Sequence, residues 1–142
     1  MGLPMGHEIL VYRDRRAIIN DIEFATVRHF LVAGGEATGF ADVATFAEGW
    51  KYEGPGVWTG EDLDAFLHGD QPLERRFRAA LDGAFASALA FGEHISPDHL
   101  MVALAPLGVA SSGSGLPTRL VLDAIEAIRD LFSERAPPSA AT

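Results

Sequence analysis

The sequence predicts an α+β fold that is mostly helical, with four or five helices packed around a central alanine-rich helix and a small N-terminal β-hairpin. Three observations lead to this prediction. Two short runs rich in β-forming residues, 8–12 and 16–19, flank a turn-like RDR. Later segments repeat apolar residues three and four apart, which is the spacing of an amphipathic helix. One of them, residues 72–91, carries six alanines between positions 79 and 90. An all-α bundle is the alternative.

The first helix has a well-marked start. Asn20 is a capping residue and Glu23 follows three positions later, which is the pattern of a capping box. The helix is predicted to stop at Gly34-Gly35, because glycine is common where helices end. The next apolar segment, residues 40–48, fits either a short helix or a strand.

The middle of the chain is predicted to turn and then re-enter a helix. The Gly-Pro-Gly sequence at residues 54–56 favours a tight turn or hairpin. Thr59, with acidic residues after it, resembles a helix N-cap, so a short helix is expected up to Leu67.

The central helix is predicted over residues 72–91. Pro72 suits a first helical turn, and Gly92 ends the apolar pattern. Leu73, Phe77 and Leu81 begin a stripe that continues along one face of the helix.

Three segments complete the chain. Ser96-Pro97 predicts the cap and first turn of another helix. Residues 106–117 have the composition of a flexible linker, and a last amphipathic helix follows from about Pro117. A single globular domain is expected over residues 1–135, with a disordered tail at 136–142.

Composition restricts the chemistry of the chain. It has 142 residues and no cysteine, which excludes disulfides and thiolate catalysis. No apolar run is close to the length of about 20 residues that a membrane-spanning helix needs, and the N-terminus lacks the pattern of a secretory signal. Met1 and Met5 are both candidate starts. We expect a cytoplasmic protein that does not bind membranes.

The net charge of −9 is unevenly distributed. Residues 36–70 contain eight acidic residues and one base, Lys51, and so carry −7. A negative field of this kind repels nucleic acid and attracts cationic partners. The sequence therefore predicts a basic protein partner and no binding to nucleic acid.

Both tryptophans lie inside this acidic segment, next to the predicted turn. They have two interpretations. In the first, the rings form a hydrophobic lid over the core, which we expect of at least one tryptophan. In the second, another ring stays partly exposed among carboxylates and anchors a basic partner. The residues predicted to bind the partner are Glu48, Trp50, Tyr52, Glu53, Trp58, Glu61 and Asp62.

No catalytic residue and no cofactor is predicted. The motifs GxGxxG, GxxxxGK[ST] and GxSxG are absent. Residue types that bind metals cluster at one point in the sequence, but their spacing matches no metal-site template, so they are only weak candidates. They are Glu93, His94, Asp98 and His99.

The leading hypothesis is a non-enzymatic module that uses the acidic, aromatic-containing segment to bind a basic partner, for example as an immunity-like or antitoxin-like inhibitor. The alternative is a small enzyme or ligand-binding domain. Its pocket would lie between the central helix and the aromatic loop, with His29, His94 or His99 as acid–base or metal-binding groups. The alanine-rich helix could equally mediate a homo-oligomer.

Overall fold

The computed structural model describes residues 7–12, 15–54, 57–59, 62–67, 70–108 and 115–132. Within these ranges the chain forms six α-helices, one short 3₁₀ helix and three two-stranded antiparallel sheets. The predicted α+β class with a predominance of helix is confirmed. None of the described helices combines the length and the apolar character needed to cross a bilayer.

The N-terminal hairpin forms as predicted. Strand β1 (His7–Tyr12) pairs with β2 (Arg15–Asn20), so that Leu10 lies opposite Ala17. Both of these side chains are buried, whereas Ile18 is exposed. This alternation is expected of a two-stranded sheet with one face against the core.

Helix α1 (Asp21–Thr38) starts where the sequence predicts, because the Asn20 side chain accepts hydrogen bonds from two backbone N–H groups of the first turn. Its predicted end at Gly34-Gly35 is wrong. The helix continues to Gly39, which ends it in a left-handed conformation with φ of 80°. Gly35 has another role: a Cβ there would lie only 3.1 Å from the Cβ of Ala44 on the next helix.

Residues 40–48, left open between helix and strand, contain helix α2 (Ala41–Glu48). A hairpin follows, formed by β3 (Lys51–Gly54) and β4 (Val57–Thr59). Helix α3 (Leu63–Leu67) comes next. Its start differs from the prediction, because Asp62 rather than Thr59 accepts a hydrogen bond from a first-turn N–H group, that of Ala65.

Helix α4 (Gln71–Leu89) is the predicted central helix and packs against α1, α2, α3 and the last helix. Asp70 caps it, and its Phe77 side chain is completely buried. The alanines that face inward follow each other at four-residue spacing, which lets neighbouring helices approach closely. They are Ala80, Ala84 and Ala88.

The C-terminal third contains two more helices. Strand β5 (His94–Ile95) leads to helix α5 (Pro97–Leu104), which is capped by Ser96 as predicted. Part of the predicted linker is regular structure, because a 3₁₀ turn covers Ala105–Leu107 and β6 (Leu116–Pro117) pairs with β5. Helix α6 (Thr118–Asp130) follows. The middle of that linker and the predicted tail lie outside the described residues.

Candidate functional site

The two indoles of the acidic segment are both in the core. Trp50 is 0% exposed and Trp58 is 6% exposed. Both pack on Phe24 of α1 with ring centroids 4.7 Å away, Trp50 in a stacked arrangement and Trp58 edge-on. Neither indole is therefore an exposed ring, because burial and ring packing on Phe24 are favoured over exposure. The lid interpretation applies to both.

A buried carboxylate fixes the position of this lid. Asp21, the first residue of α1, is 2% exposed and accepts a hydrogen bond of 3.1 Å from the indole N–H of Trp58. Tyr52 packs on Trp58 with ring centroids 5.1 Å apart. The pKa of the Tyr52 hydroxyl is raised, mainly by burial and to a smaller extent by the nearby Asp21 carboxylate. The hairpin thus closes over the positive end of α1, where a carboxylate is favoured.

Arg28 holds the segment between α2 and β3 on the surface of α1. Its guanidinium donates to the carbonyl oxygen of Trp50 at 2.9 Å and to that of Glu48 at 3.0 Å. Burial lowers the pKa of Arg28, and Glu48 acts in the opposite direction. The backbone around Glu48 is therefore fixed, while its side chain remains exposed.

The carboxylates of the acidic segment are mostly on the surface. The exposed ones include Glu36, Asp42, Glu48, Glu53, Asp62 and Asp70. Glu61, another predicted partner-binding residue, lies outside the described residues.

Two of these acids share a cleft. A cleft of about 270 Å³ lies between the C-terminal part of α1 and helix α2, and Glu36 and Glu48 both line it. Its other walls are small residues and a hydroxyl, namely Gly35, Gly39, Ala41, Ala44 and Thr45. We call it the acidic cleft. At Gly35, one of its lining residues, α2 approaches α1 closely.

Asp42, also on α2, is engaged differently. Its Oδ2 accepts from Arg76 of α4 through Nε at 3.1 Å and a terminal nitrogen at 2.6 Å. This bonding lowers the pKa of Asp42 and raises that of Arg76. The pair joins α2 to the central helix and leaves the acidic cleft to Glu36 and Glu48.

Sequence reasoning identified Glu48 but missed Glu36. Glu36 is one of the eight acids of the segment, but the predicted end of α1 at Gly34-Gly35 places it after the helix. Its position opposite Glu48 depends on the helix continuing to Thr38. Of the two glycines inside this continuing helix, Gly35 is explained by the close approach of α2, because a Cβ there would press on Ala44.

The weak metal candidates do not converge. Glu93, His94 and Asp98 are exposed, and His99 instead packs against His29 of α1, with ring centroids 5.0 Å apart. Across the part of the chain that the structure describes, no three His, Asp or Glu side chains are close enough to share a metal ion.

Comparisons of the chain with protein-family models, with curated proteins and with solved structures found no match.

Proposed function

We propose that this protein is a non-enzymatic binding module that recognises a basic protein partner through the acidic cleft. The observation that carries the proposal is that Glu36 and Glu48, from two different helices, line one cleft. The surrounding segment supplies the long-range attraction, because residues 36–70 carry −7. An inhibitor of the immunity or antitoxin kind, which masks a cationic protein, is one concrete form of this function.

The cleft suits a lysine or arginine side chain. Its small apolar walls at Ala41 and Ala44 can contact the methylene stem of such a side chain, and the two carboxylates can bind its charged end. Exposed carboxylates at a rim chiefly accelerate association and exclude wrong partners. Glu53 and Asp62 are exposed and are assigned this steering role.

The aromatic residues have an indirect role in this proposal. Trp50 and Trp58 are buried and hold the hairpin, and Trp50 also presents the carbonyl oxygen that Arg28 binds. Tyr52 is the aromatic residue of the predicted set that keeps partial exposure, so it remains a contact candidate. A cytoplasmic location and the absence of nucleic-acid binding belong to the same proposal and follow from the sequence and its charge.

A charge-reversal pair tests the proposal. We would compare Glu36→Lys/Glu48→Lys with Glu126→Lys/Asp130→Lys, which changes the net charge equally at exposed positions of α6. The probe is an oligolysine peptide, titrated by calorimetry at low and high salt. The cleft variant should lose binding, whereas the α6 variant should retain most of it. Equal losses in both variants would show that only net charge matters, and the acidic cleft would then not be a site.

A further inference from the structure

Two histidines that are distant in the sequence meet where α5 packs on α1. The imidazole rings of His29 and His99 have centroids 5.0 Å apart, with their planes at 78°. The His99 ring also stacks on Phe30, with centroids 5.7 Å apart, and lies tilted against Phe91 at 4.7 Å. The acidic cleft involves none of these residues. The contact between α1 and α5 therefore places two titratable rings inside an aromatic cluster.

The surroundings of His99 offer little to a positive charge. Its Nε2 atom is buried and finds no hydrogen-bond partner among the described residues, so a proton there would be a buried donor without an acceptor. His99 is also the third residue of α5, and the N-terminal end of a helix disfavours cations. Asp98, the acid next to it, is exposed, and within the described ranges no carboxylate forms a compact group of three with the two histidines.

The charges that act on His29 oppose its protonation as well. Burial, then His99 from α5, then Arg28 from the same helix lower the pKa of His29. The charge that faces Arg28 from α2 is Glu48, which acts on the guanidinium. The end of α4 contributes Phe91, which is uncharged. The His29 ring is therefore neutral at neutral pH, and two protonated rings at this contact would repel each other.

We propose that the pair formed by His29 and His99 is an acid-sensitive switch that releases α5 from α1 when both rings are protonated. Histidine is the side chain whose ordinary titration, near about pH 6.5, permits such a switch close to neutral pH. With one neutral ring the aromatic contact holds the two helices together. With two imidazolium rings, the contact holds like charges with centroids 5.0 Å apart.

Helix α5 is the element that moves in this proposal. It has eight residues and packs on α1, whereas α1 also packs against α2, α4, α6 and the N-terminal hairpin. A short element with few neighbours opens locally at a lower free-energy cost than the whole fold. The lowered pKa of His29 means that the docked state is favoured above about pH 6.5. This preference is lost as the pH falls below that value, because the released state then binds more protons.

The test is amide hydrogen exchange of the full ¹⁵N-labelled chain by NMR, at about pH 7.5 and about pH 5, with protection corrected for the intrinsic pH dependence of exchange. Protection of the α5 amides, such as those of Leu100 and Leu104, should fall at the lower pH. The opening constant rises up to about tenfold for each unit by which the docked state lowers a histidine pKa. Protection in the central helix, for example at Phe77, should change much less.

Three variants separate the switch from general acid destabilisation. His99→Phe keeps an aromatic ring beside Phe30 and cannot be protonated, so α5 should stay protected at both pH values. His29→Gln should remove the pH dependence in the same way. His94→Gln, at an exposed histidine close in sequence, should behave like the parent chain. Equal loss of protection in α4 and α5 of the parent, no loss in α5, or an undiminished loss in both His99→Phe and His29→Gln would overturn the proposal.

Discussion

The two tryptophans allow the hydrogen bond to Asp21 to be measured against a matched control. Trp58→Phe and Trp50→Phe remove the same atoms from neighbouring buried rings. The indole N–H of Trp58 donates to the buried Asp21 carboxylate, whereas that of Trp50 is buried without a partner. Loss of the indole N–H should therefore lower the free energy of unfolding in Trp58→Phe and raise it in Trp50→Phe.

The magnitudes follow from these contacts. Shrinking either ring leaves a cavity that costs on the order of 1 kcal/mol of unfolding free energy. Trp58→Phe loses in addition a hydrogen bond to a charged group, worth about 1.5–3 kcal/mol. Trp50→Phe instead removes an unpaired buried donor, which offsets its cavity by about 1–3 kcal/mol. Trp58→Phe should thus be the less stable variant by at least about 2 kcal/mol, or about 6 °C in Tm for a chain of this size.

Urea unfolding followed by circular dichroism measures both variants with an unchanged probe, because ellipticity does not depend on which indole remains. A shift of midpoint at constant m reports stability alone. Burial by itself predicts the opposite order, since Trp50 is 0% exposed and Trp58 is 6% exposed. If Trp50→Phe costs as much as Trp58→Phe or more, the role assigned to the Asp21 hydrogen bond is wrong.

Three further predictions concern single positions and are measured by urea unfolding. Gly35→Ala should cost about 1–3 kcal/mol, because the added Cβ would press on Ala44. Gly34→Ala should be neutral or stabilise by up to about 1 kcal/mol, since the added Cβ would lie 3.8 Å from the carbonyl oxygen of Ala80 on α4, an ordinary contact distance. Equal effects of the two substitutions would contradict the close approach of α2. Asp42→Asn should lower the free energy of unfolding at neutral pH and reduce the loss of stability in acid. The pKa of Asp42 is lowered in the folded state, so its carboxylate stabilises the fold above the ordinary carboxyl pKa of about 3.9, and this contribution is lost as the pH falls below that value. Tyr52→Phe should reduce the loss of stability above about pH 10. The raised pKa of Tyr52 means that the hydroxyl stays protonated in the folded state at a pH where the unfolded chain has already lost that proton. An unchanged dependence of stability on pH above about pH 10 would contradict this prediction.

Local signals predicted the starts of several helices correctly. Asn20 and Ser96 each accept backbone hydrogen bonds in the first turn of the helix that the sequence assigned to them. These signals work because a cap involves residues only two or three positions apart. The end of α1 was mispredicted because the local preference of Gly35 for a helix terminus is outweighed by its contact with Ala44 of α2.

The candidate sites depend on contacts that no local pattern contains. The hydrogen bond from Trp58 to Asp21 joins β4 to the start of α1, and the ring contact of His99 with His29 joins α5 to the same helix. Composition could place the acidic residues in one segment, but only the packing of α2 on α1 brings Glu36 and Glu48 to one cleft. The burial of both indoles depends on the same tertiary packing, through Phe24.

An NMR titration of the ¹⁵N-labelled chain with oligolysine tests most directly whether the acidic cleft is the binding surface. We expect the largest amide shifts between residues 35 and 48, around the cleft, and no change in α6, although that helix also carries exposed acids. Shifts centred on α6, or spread evenly over every acidic surface, would contradict it.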